Sequence, residues 1–399
     1  MNFLDPLLKR HLEGLKRLHR FRSLRAGAPA APGRVARDGR ELLDFSSNDY
    51  LGLARHPKLV EAARHAAARW GTGAGASRLV TGTSELHEAI EVKLARLKGT
   101  EAALIFPSGF QTNATVIPAL LRRDLLEAEP LVFADALMHA SMHQGCRAAG
   151  VKPILFRHND LGHLETLLAE QAARPAARFI LAESLYSMDG DCADVPALAT
   201  LAERYGAFLY LDEAHATGVL GPNGMGLAGT APGRVPLIMG TFSKALGSSG
   251  AFVACSNALR DYLVNRCAGF VYSTALAPPA LGAVEAALDL APQLGAARAH
   301  LMKQATRLRA AFQSLGLDTG RSASQIVPAL LGAEETALAL SASLEARGML
   351  AVAIRPPTVP PGTSRLRFSL SAAHSAADID RLIEAAAALT PRPRAALGG

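Results

Sequence analysis

A lysine set among small and hydroxyl residues, Thr241-Phe242-Ser243-Lys244-Ala245-Leu246-Gly247, directly follows the apolar run Leu237 to Met239. There the amine is partly desolvated, its pKa falls, and it can serve as a Schiff-base nucleophile. An isolated lysine of this kind is ordinarily a solvated loop residue, so the reading depends on its companions. Asp212 closes the apolar run Phe208 to Leu211 and places a carboxylate at a strand end, about 30 residues before Lys244. An acid there either caps a helix or pairs with the protonated ring nitrogen of pyridoxal phosphate, keeping that ring an electron sink. His215 either packs structurally or donates to the phenolic oxygen of the same cofactor.

A phosphate needs neutral donors and the start of a helix, and Ser108-Gly109-Phe110 follows the apolar run Ala102 to Phe106 in that manner. Thr241 and Ser243 are further donors. His139, in Asp135-Ala-Leu-Met-His139-Ala-Ser141, has the shape to lie flat on a pyridine ring, although by itself it reads as a surface histidine.

These residues need a frame. Apolar runs bounded by turn residues occur at Ala102 to Phe106, Leu131 to Ala134, Ile154 to Phe156, Phe179 to Ala182, Phe208 to Leu211, Leu237 to Met239 and Phe252 to Cys255. Ala/Leu-rich helical segments separate them, so the pattern predicts an α/β fold with a mostly parallel seven-stranded sheet covered by helices on both faces. After about Pro292 the rhythm changes: a long helix, Ile326 to Leu331, a helix through Arg347, Leu350 to Ile354, Arg365 to Leu370, and a closing helix from about Ala376. The expected division is an N-terminal helix and arm over 1–50, a large domain over 51–291 and a smaller α+β domain over 292–399.

Composition narrows the function classes. At 399 residues, 49% hydrophobic and 19% charged, the chain is globular rather than disordered. Its charge-poor stretches are interrupted by proline or glycine, which argues against a membrane span. The four cysteines form no CxxC pair, so no metal centre is expected and a cytoplasmic setting is the simplest. The net charge of +7 is concentrated in the first 25 residues, where seven Lys/Arg face two acids; this weighs against nucleic-acid binding, which needs a basic groove on the folded body. Leu4, Leu7, Leu8, Leu12, Leu15 and Leu18 recur at helical spacing, predicting an amphipathic helix docked on the protein rather than a targeting segment. Two motifs mislead. Gly71-Thr-Gly-Ala-Gly-Ala76 matches a dinucleotide fingerprint but follows a helical pattern instead of a strand. Asp212-Glu-Ala-His215 spells a helicase signature, yet the chain has no GxxxxGK[ST] phosphate loop.

Taken together, several segments resemble the α-oxoamine synthase family of type I pyridoxal-phosphate enzymes. The match is carried by Ser46-Ser-Asn-Asp-Tyr-Leu-Gly52, Gly75-Ala-Ser-Arg-Leu-Val-Thr-Gly82, Ser187-Met-Asp-Gly-Asp191, Asp212-Glu-Ala-His-Ala-Thr-Gly218, Thr241 to Gly247 and Tyr272-Ser-Thr-Ala275. Pro107, Ala216 and Ser249 depart from the commoner pattern in loop positions only. The resemblance implies a type I aminotransferase-like fold and Lys244 as the cofactor lysine. It puts Asp212 on the ring nitrogen, His215 and Ser187 near the ring oxygen, His139 stacked on the ring, and Gly109, Phe110 and Thr241 at the phosphate. It also implies a homodimer with shared sites, in which Thr274 reaches a phosphate across the interface.

Within that family, Ala353-Ile-Arg-Pro-Pro-Thr-Val-Pro-Pro-Gly-Thr-Ser-Arg-Leu-Arg367, Ser371-Ala-Ala-His374 and His158-Asn-Asp160 are most similar to the member that condenses L-alanine with a pimeloyl thioester in biotin biosynthesis. Arg367 would then hold the amino-acid carboxylate and Thr358 would face the acyl substrate, with Arg22 a further substrate contact. The acyl donor is pimeloyl-CoA or a pimeloyl-acyl-carrier protein. Glycine C-acetyltransferase, acting on glycine and acetyl-CoA, is the nearest alternative, and an ordinary aminotransferase the next.

Overall fold

The computed structural model describes residues 2–389; of the expected small-domain span, residues 390–399 lie outside the described residues. After a first helix come three short strands: β1 (Ala28–Pro29), β2 (Arg34–Arg37) and β3 (Arg40–Asp44). Then come β4 (Ala102–Phe106), β5 (Glu129–Asp135), β6 (Ile154–Phe156), β7 (Ala176–Glu183), β8 (Ala207–Asp212), β9 (Leu237–Thr241) and β10 (Ala251–Cys255). Each coincides with one of the seven apolar runs, and together they form one seven-stranded sheet in the order β4-β10-β9-β8-β7-β5-β6.

Only β10 runs antiparallel to its neighbours; the other pairings are parallel. Every residue of β4, β9 and β10 is buried, the signature of strands packed on both faces. Phe106, Phe133, Phe252 and Tyr210 fill the interior, and each such aromatic or aliphatic side chain contributes about 1.5–3 kcal/mol by leaving water.

By its internal contacts the chain falls into two compact units. One comprises Leu51–Ser187 and Cys192–Arg298 and contains the seven-stranded sheet; the other comprises the arm up to Tyr50, Met188–Asp191 and the chain from Ala299 onward. In this second group lie β11 (Ile326–Gly332), β12 (Met349–Leu350), β13 (Ala353–Ile354) and β14 (Ser364–Ser369). The arm joins the C-terminal region because β12 pairs in parallel with β3, while β11, β14 and β13 form a separate antiparallel sheet.

Two expectations are corrected here. The segment Leu350 to Ile354, read as one piece, is two, since β12 pairs with β3 and β13 with β14, and the chain must turn between partners. The first helix, Leu4–Arg17, forms as its periodicity demands, but it does not bury its leucines in this chain: Leu4, Leu7, Leu8, Leu12 and Leu18 are between 41% and 54% exposed. Its exit is tied down instead by ion pairs from Arg20 to Glu334 and from Arg25 to Glu345. Among the described residues, no helix is long and apolar enough to cross a membrane.

Candidate active site

Because β4, β5, β7, β8 and β9 point the same way, their carboxyl ends share one edge of the sheet, the position where open α/β sheets bind ligands. Ser108 follows β4, His139 follows β5, Ser187 follows β7, Asp212 ends β8, and Thr241 to Lys244 close and follow β9.

Asp212 is buried, in register with Glu183 on one side and Met239 on the other. Its Oδ1 accepts from the Ala214 N–H at 2.9 Å and its Oδ2 from Asn113 Nδ2 at 2.7 Å. Asn113 in turn donates to Ser141 Oγ and accepts from the Tyr210 hydroxyl. A carboxylate offers about four acceptor positions, so Asp212 retains capacity for a ring N–H. Asn113 escaped the sequence reading, although a polar residue one turn from Val116 and Ile117, on the buried stripe of its helix, was a usable signal.

The Lys244 loop is built by glycines and hydroxyls. Gly247 has φ +65, and a Cβ there would meet the Leu53 and Ala54 backbone at 2.5 Å, so only glycine lets the chain turn this close. Thr241 Oγ1 donates to the Gly250 carbonyl at 2.8 Å and accepts from the Ser243 N–H at 3.1 Å. Lys244 itself is half-buried. Its electrostatic neighbours include His139 and Glu183: desolvation pushes the His139 imidazole below its ordinary pKa, the Asp212 charge opposes that shift and the Lys244 charge adds to it.

His139 caps the helix Ala140–Ala148, with its Nδ1 2.6 Å from Ser141 Oγ, and stays exposed. His215 and Ser187 are buried near the ends of β8 and β7.

The helix Gly109–Leu120 begins beside the lysine loop. A Cβ on Gly109 would lie 3.0 Å from Met239 and 3.9 Å from Thr241, and Ser108 Oγ accepts from the Gln111 N–H at 3.3 Å. The first N–H groups of this helix are partly positive donors suited to a phosphate, and the Ser243 hydroxyl, 2.7 Å from Thr241 Oγ1 and exposed, can turn to join them. Phe110 is exposed. Thr274 is also exposed and bridges to Ser77, while the adjacent Ser273 accepts from Gln111 Nε2 on the same helix. A carboxylate for a ring nitrogen, an amine for an aldehyde, an open imidazole face and neutral phosphate donors make a set that fits pyridoxal phosphate.

In the other unit Arg367, on β14, donates through both Nη atoms to Asn48 Oδ1 at 3.1 and 3.0 Å and through Nη2 to the Tyr50 hydroxyl at 3.0 Å. Tyr50 is buried, and burial raises its pKa against the opposing effect of Arg367. Arg22 and Thr358 come together elsewhere in this unit, Nη2 to Oγ1 at 3.3 Å, with Arg22 also reaching the Arg355 and Pro356 carbonyls. They line a cavity of about 510 Å³ with Lys16, His19, Phe21 and Ile354. A larger cavity, about 940 Å³, opens around Arg122, Glu129, Lys152 and Arg174 at the amino end of β5, away from every residue singled out in the sequence.

The reading also missed Glu183 and the partners Asn48 and Tyr50. Glu183 ends β7, is buried, and leaves Oε1 without a hydrogen-bond partner among the described residues. Burial first, and the neighbouring Asp212 charge second, push its carboxyl well above the ordinary glutamate range. The visible signal was a second carboxylate closing an apolar run, parallel to the one at Asp212.

Comparison with known proteins adds the following. Residues 40–385 match the family model of class I and II aminotransferases. 8-Amino-7-oxononanoate synthase from Gluconacetobacter diazotrophicus is 58% identical, covering 96% of this chain and 97% of its own. A Bordetella bronchiseptica protein is 63% identical over 97% of each chain. Among solved structures, a serine palmitoyltransferase variant from S. paucimobilis with a bound PLP–myriocin adduct superposes with a TM-score of 0.88 at 26% identity, covering 97% of this chain and 98% of that one. The 8-amino-7-oxononanoate synthase crystal structure from Francisella tularensis gives 0.75 at 25% identity, covering 87% and 97%.

Proposed function

The chain belongs to the 8-amino-7-oxononanoate synthase family within the class I and II aminotransferases, and from that premise we propose that it condenses L-alanine with a pimeloyl thioester, releasing carbon dioxide and the thiol and forming 8-amino-7-oxononanoate. Pyridoxal phosphate, when bound, supplies an electron sink for the negative charge that develops at the alanine α-carbon. The observation that carries the reading is Lys244, half-buried in the loop after β9, with buried Asp212 ending the adjacent strand β8.

Lys244 Nζ would hold the cofactor and, once the alanine amine has taken its place, would remove the proton at the α-carbon and later return one. Asp212 keeps a proton on the ring nitrogen, with Asn113 holding its carboxylate in place. His139 would stack on the ring and, through its imidazole, polarise the thioester carbonyl. Ser187 and His215 bind the ring oxygen. Ser108, Gly109, Phe110, Thr241 and Ser243 bind the phosphate, joined by Thr274 of the second subunit in a homodimer.

Arg367, backed by Asn48 and Tyr50, takes the alanine carboxylate as a charge-assisted pair. Thr358 and Arg22 face the acyl chain: the cavity they share places cations beside Phe21 and Ile354, a lining suited to methylenes that end in a carboxylate. The acyl donor is pimeloyl-CoA or the carrier-protein thioester.

Purified protein loaded with pyridoxal phosphate and given alanine or glycine with pimeloyl-CoA or acetyl-CoA, in all four pairs, tests this reading. Condensed product and released thiol should be greatest for alanine with pimeloyl-CoA. One methyl group in a pocket discriminates by only about 1–3 kcal/mol, so the larger selectivity should lie in the acyl chain. Preference for glycine and acetyl-CoA would assign the chain to the acetyltransferase reaction. Amino transfer to a keto acid without thiol release would reject both.

A further inference from the structure

The segment His158-Asn159-Asp160 takes no part in this chemistry, yet each of its residues is engaged. Asp160 caps the helix Leu161–Glu170 through its Oδ1 and the His163 N–H. Asn159 adopts φ +51, a conformation asparagine tolerates better than most residues, and so points its N–H at Asp135 Oδ2 at 2.9 Å. His158 Nδ1 lies 2.8 Å from Asp135 Oδ1. Its ring packs edge-on against buried Tyr186, with centroids 4.4 Å apart and planes at 88°.

Asp135 is completely buried at the carboxyl end of β5 and starts the turn that leads to His139. Besides the two bonds from 158–159, its Oδ1 accepts from the Leu137 N–H at 2.8 Å, and its carbonyl accepts from the Met138 N–H at 3.0 Å. At the far end of the same turn, His139 Nδ1 accepts from the Ser141 N–H at 3.2 Å. The five residues are therefore anchored at their start by a buried carboxyl group from a strand end, and that anchor is oriented by an imidazole.

We propose that Asp135 and His158 act as a positioning pair for His139: the His158 Nδ1–H fixes the Asp135 carboxylate, and that carboxylate holds the turn that sets where the His139 imidazole lies. The consequence for catalysis rests on the reading of His139 as a contact of the cofactor ring. An active-site ring must be held within a fraction of an ångström by its supporting groups, and misplacing a reacting group by about 1 Å costs up to roughly 100-fold in rate.

The test uses His158→Ala, His158→Asn, whose amide can replace the lost donor, and Asp135→Asn, each full length and checked for a wild-type thermal transition. In cofactor-free protein, the rate of diethyl pyrocarbonate modification at His139 is measured by peptide mapping against exposed His65 as internal reference. His158→Ala should change the His139 rate about threefold or more, His158→Asn should return it close to wild type, and His65 should not respond. In the loaded enzyme the visible circular-dichroism band should weaken in His158→Ala and recover in His158→Asn, with kcat down roughly 10-fold and the alanine KM nearly unchanged.

A wild-type His139 rate in a folded His158→Ala protein would overturn the pair. So would a His158→Asn protein no better than His158→Ala, since ring packing on Tyr186 would then be the operative contact. If His158→Ala does not fold, Asp135→Asn carries the comparison, and a wild-type His139 rate in that variant overturns the pair. A changed rate in cofactor-free protein beside an unchanged band and kcat would uphold the pair and remove the reading of His139 as a cofactor contact.

Discussion

The edge of the seven-stranded sheet and the arginine clusters of the other unit handle charge by different means. At the sheet edge each chemical group stands on, or one turn beyond, a strand end, and its partners come from the helix above, the same loop or the loop after a neighbouring strand: Asp212 with Asn113, Thr241 with Ser243, Asp135 with His158. In the other unit Arg367 is held by Asn48 and Tyr50, and Arg22 by Thr358 and loop carbonyls, all more than 300 residues away in sequence. Regular structure fixes the first set with little freedom, as electrophilic and proton-transfer chemistry needs. Long-range closure assembles the second, as a site proposed to admit substrates that differ in length and charge would need.

If that contrast is right, substitutions at the sheet edge should lower kcat, and those in the arginine clusters should raise KM. Lys244→Ala should have the largest effect, with kcat falling about 10²–10⁴-fold because the proton-transfer group is gone; steady-state assays with saturating alanine and pimeloyl-CoA measure it. Arg367→Ala should come next. Losing a charge-assisted hydrogen bond of about 1.5–3 kcal/mol predicts an alanine KM roughly 10- to 150-fold higher, with the acyl-donor KM little changed. A fall in kcat at unchanged alanine KM would erase the distinction between the two regions.

Glu183→Gln tests the sheet edge through stability. A carboxyl whose folded pKa is raised binds its proton more tightly in the native state, so its contribution to stability is fully present below about 4.5 and is lost as pH rises toward the folded value. Glutamine does not titrate. Urea midpoints should therefore show wild type and variant closest below pH 4.5, and wild type falling progressively behind as pH rises. A constant difference across that range would mean that Glu183 is not held neutral by its surroundings. The smallest effect belongs to exposed Arg22: Arg22→Ala should raise the acyl-donor KM a few-fold, less so at high salt, because surface charge steers anions weakly. Equal changes in both KM values would indicate lost packing of the arm.

The sheet and its chemistry were legible because both are local. Apolar runs such as Phe252 to Cys255 are short and bounded by turn residues, and a charged or hydroxyl residue just after such a run lies at a strand end; this is how Lys244, Asp212 and Ser108 could be found. What the sequence concealed depends on separation. Nothing near Arg367 announces Tyr50, nothing in Met349–Leu350 announces its pairing with β3, and the leucines of the first helix carry a helical period without saying whether the chain covers them. Asn113, Glu183 and His158 fall between these cases: each is a polar residue in a buried or strand-end position, but its role appears only once its neighbour on another strand is known.

We propose that Lys244 carries the cofactor, and reduction of the loaded wild-type protein with borohydride, followed by peptide mapping, tests this assignment. A single pyridoxyl-modified peptide should be recovered, containing Thr241 to Gly247 with the label on Lys244. Label on any other lysine, or none in a protein that still makes the condensed product, would contradict the account.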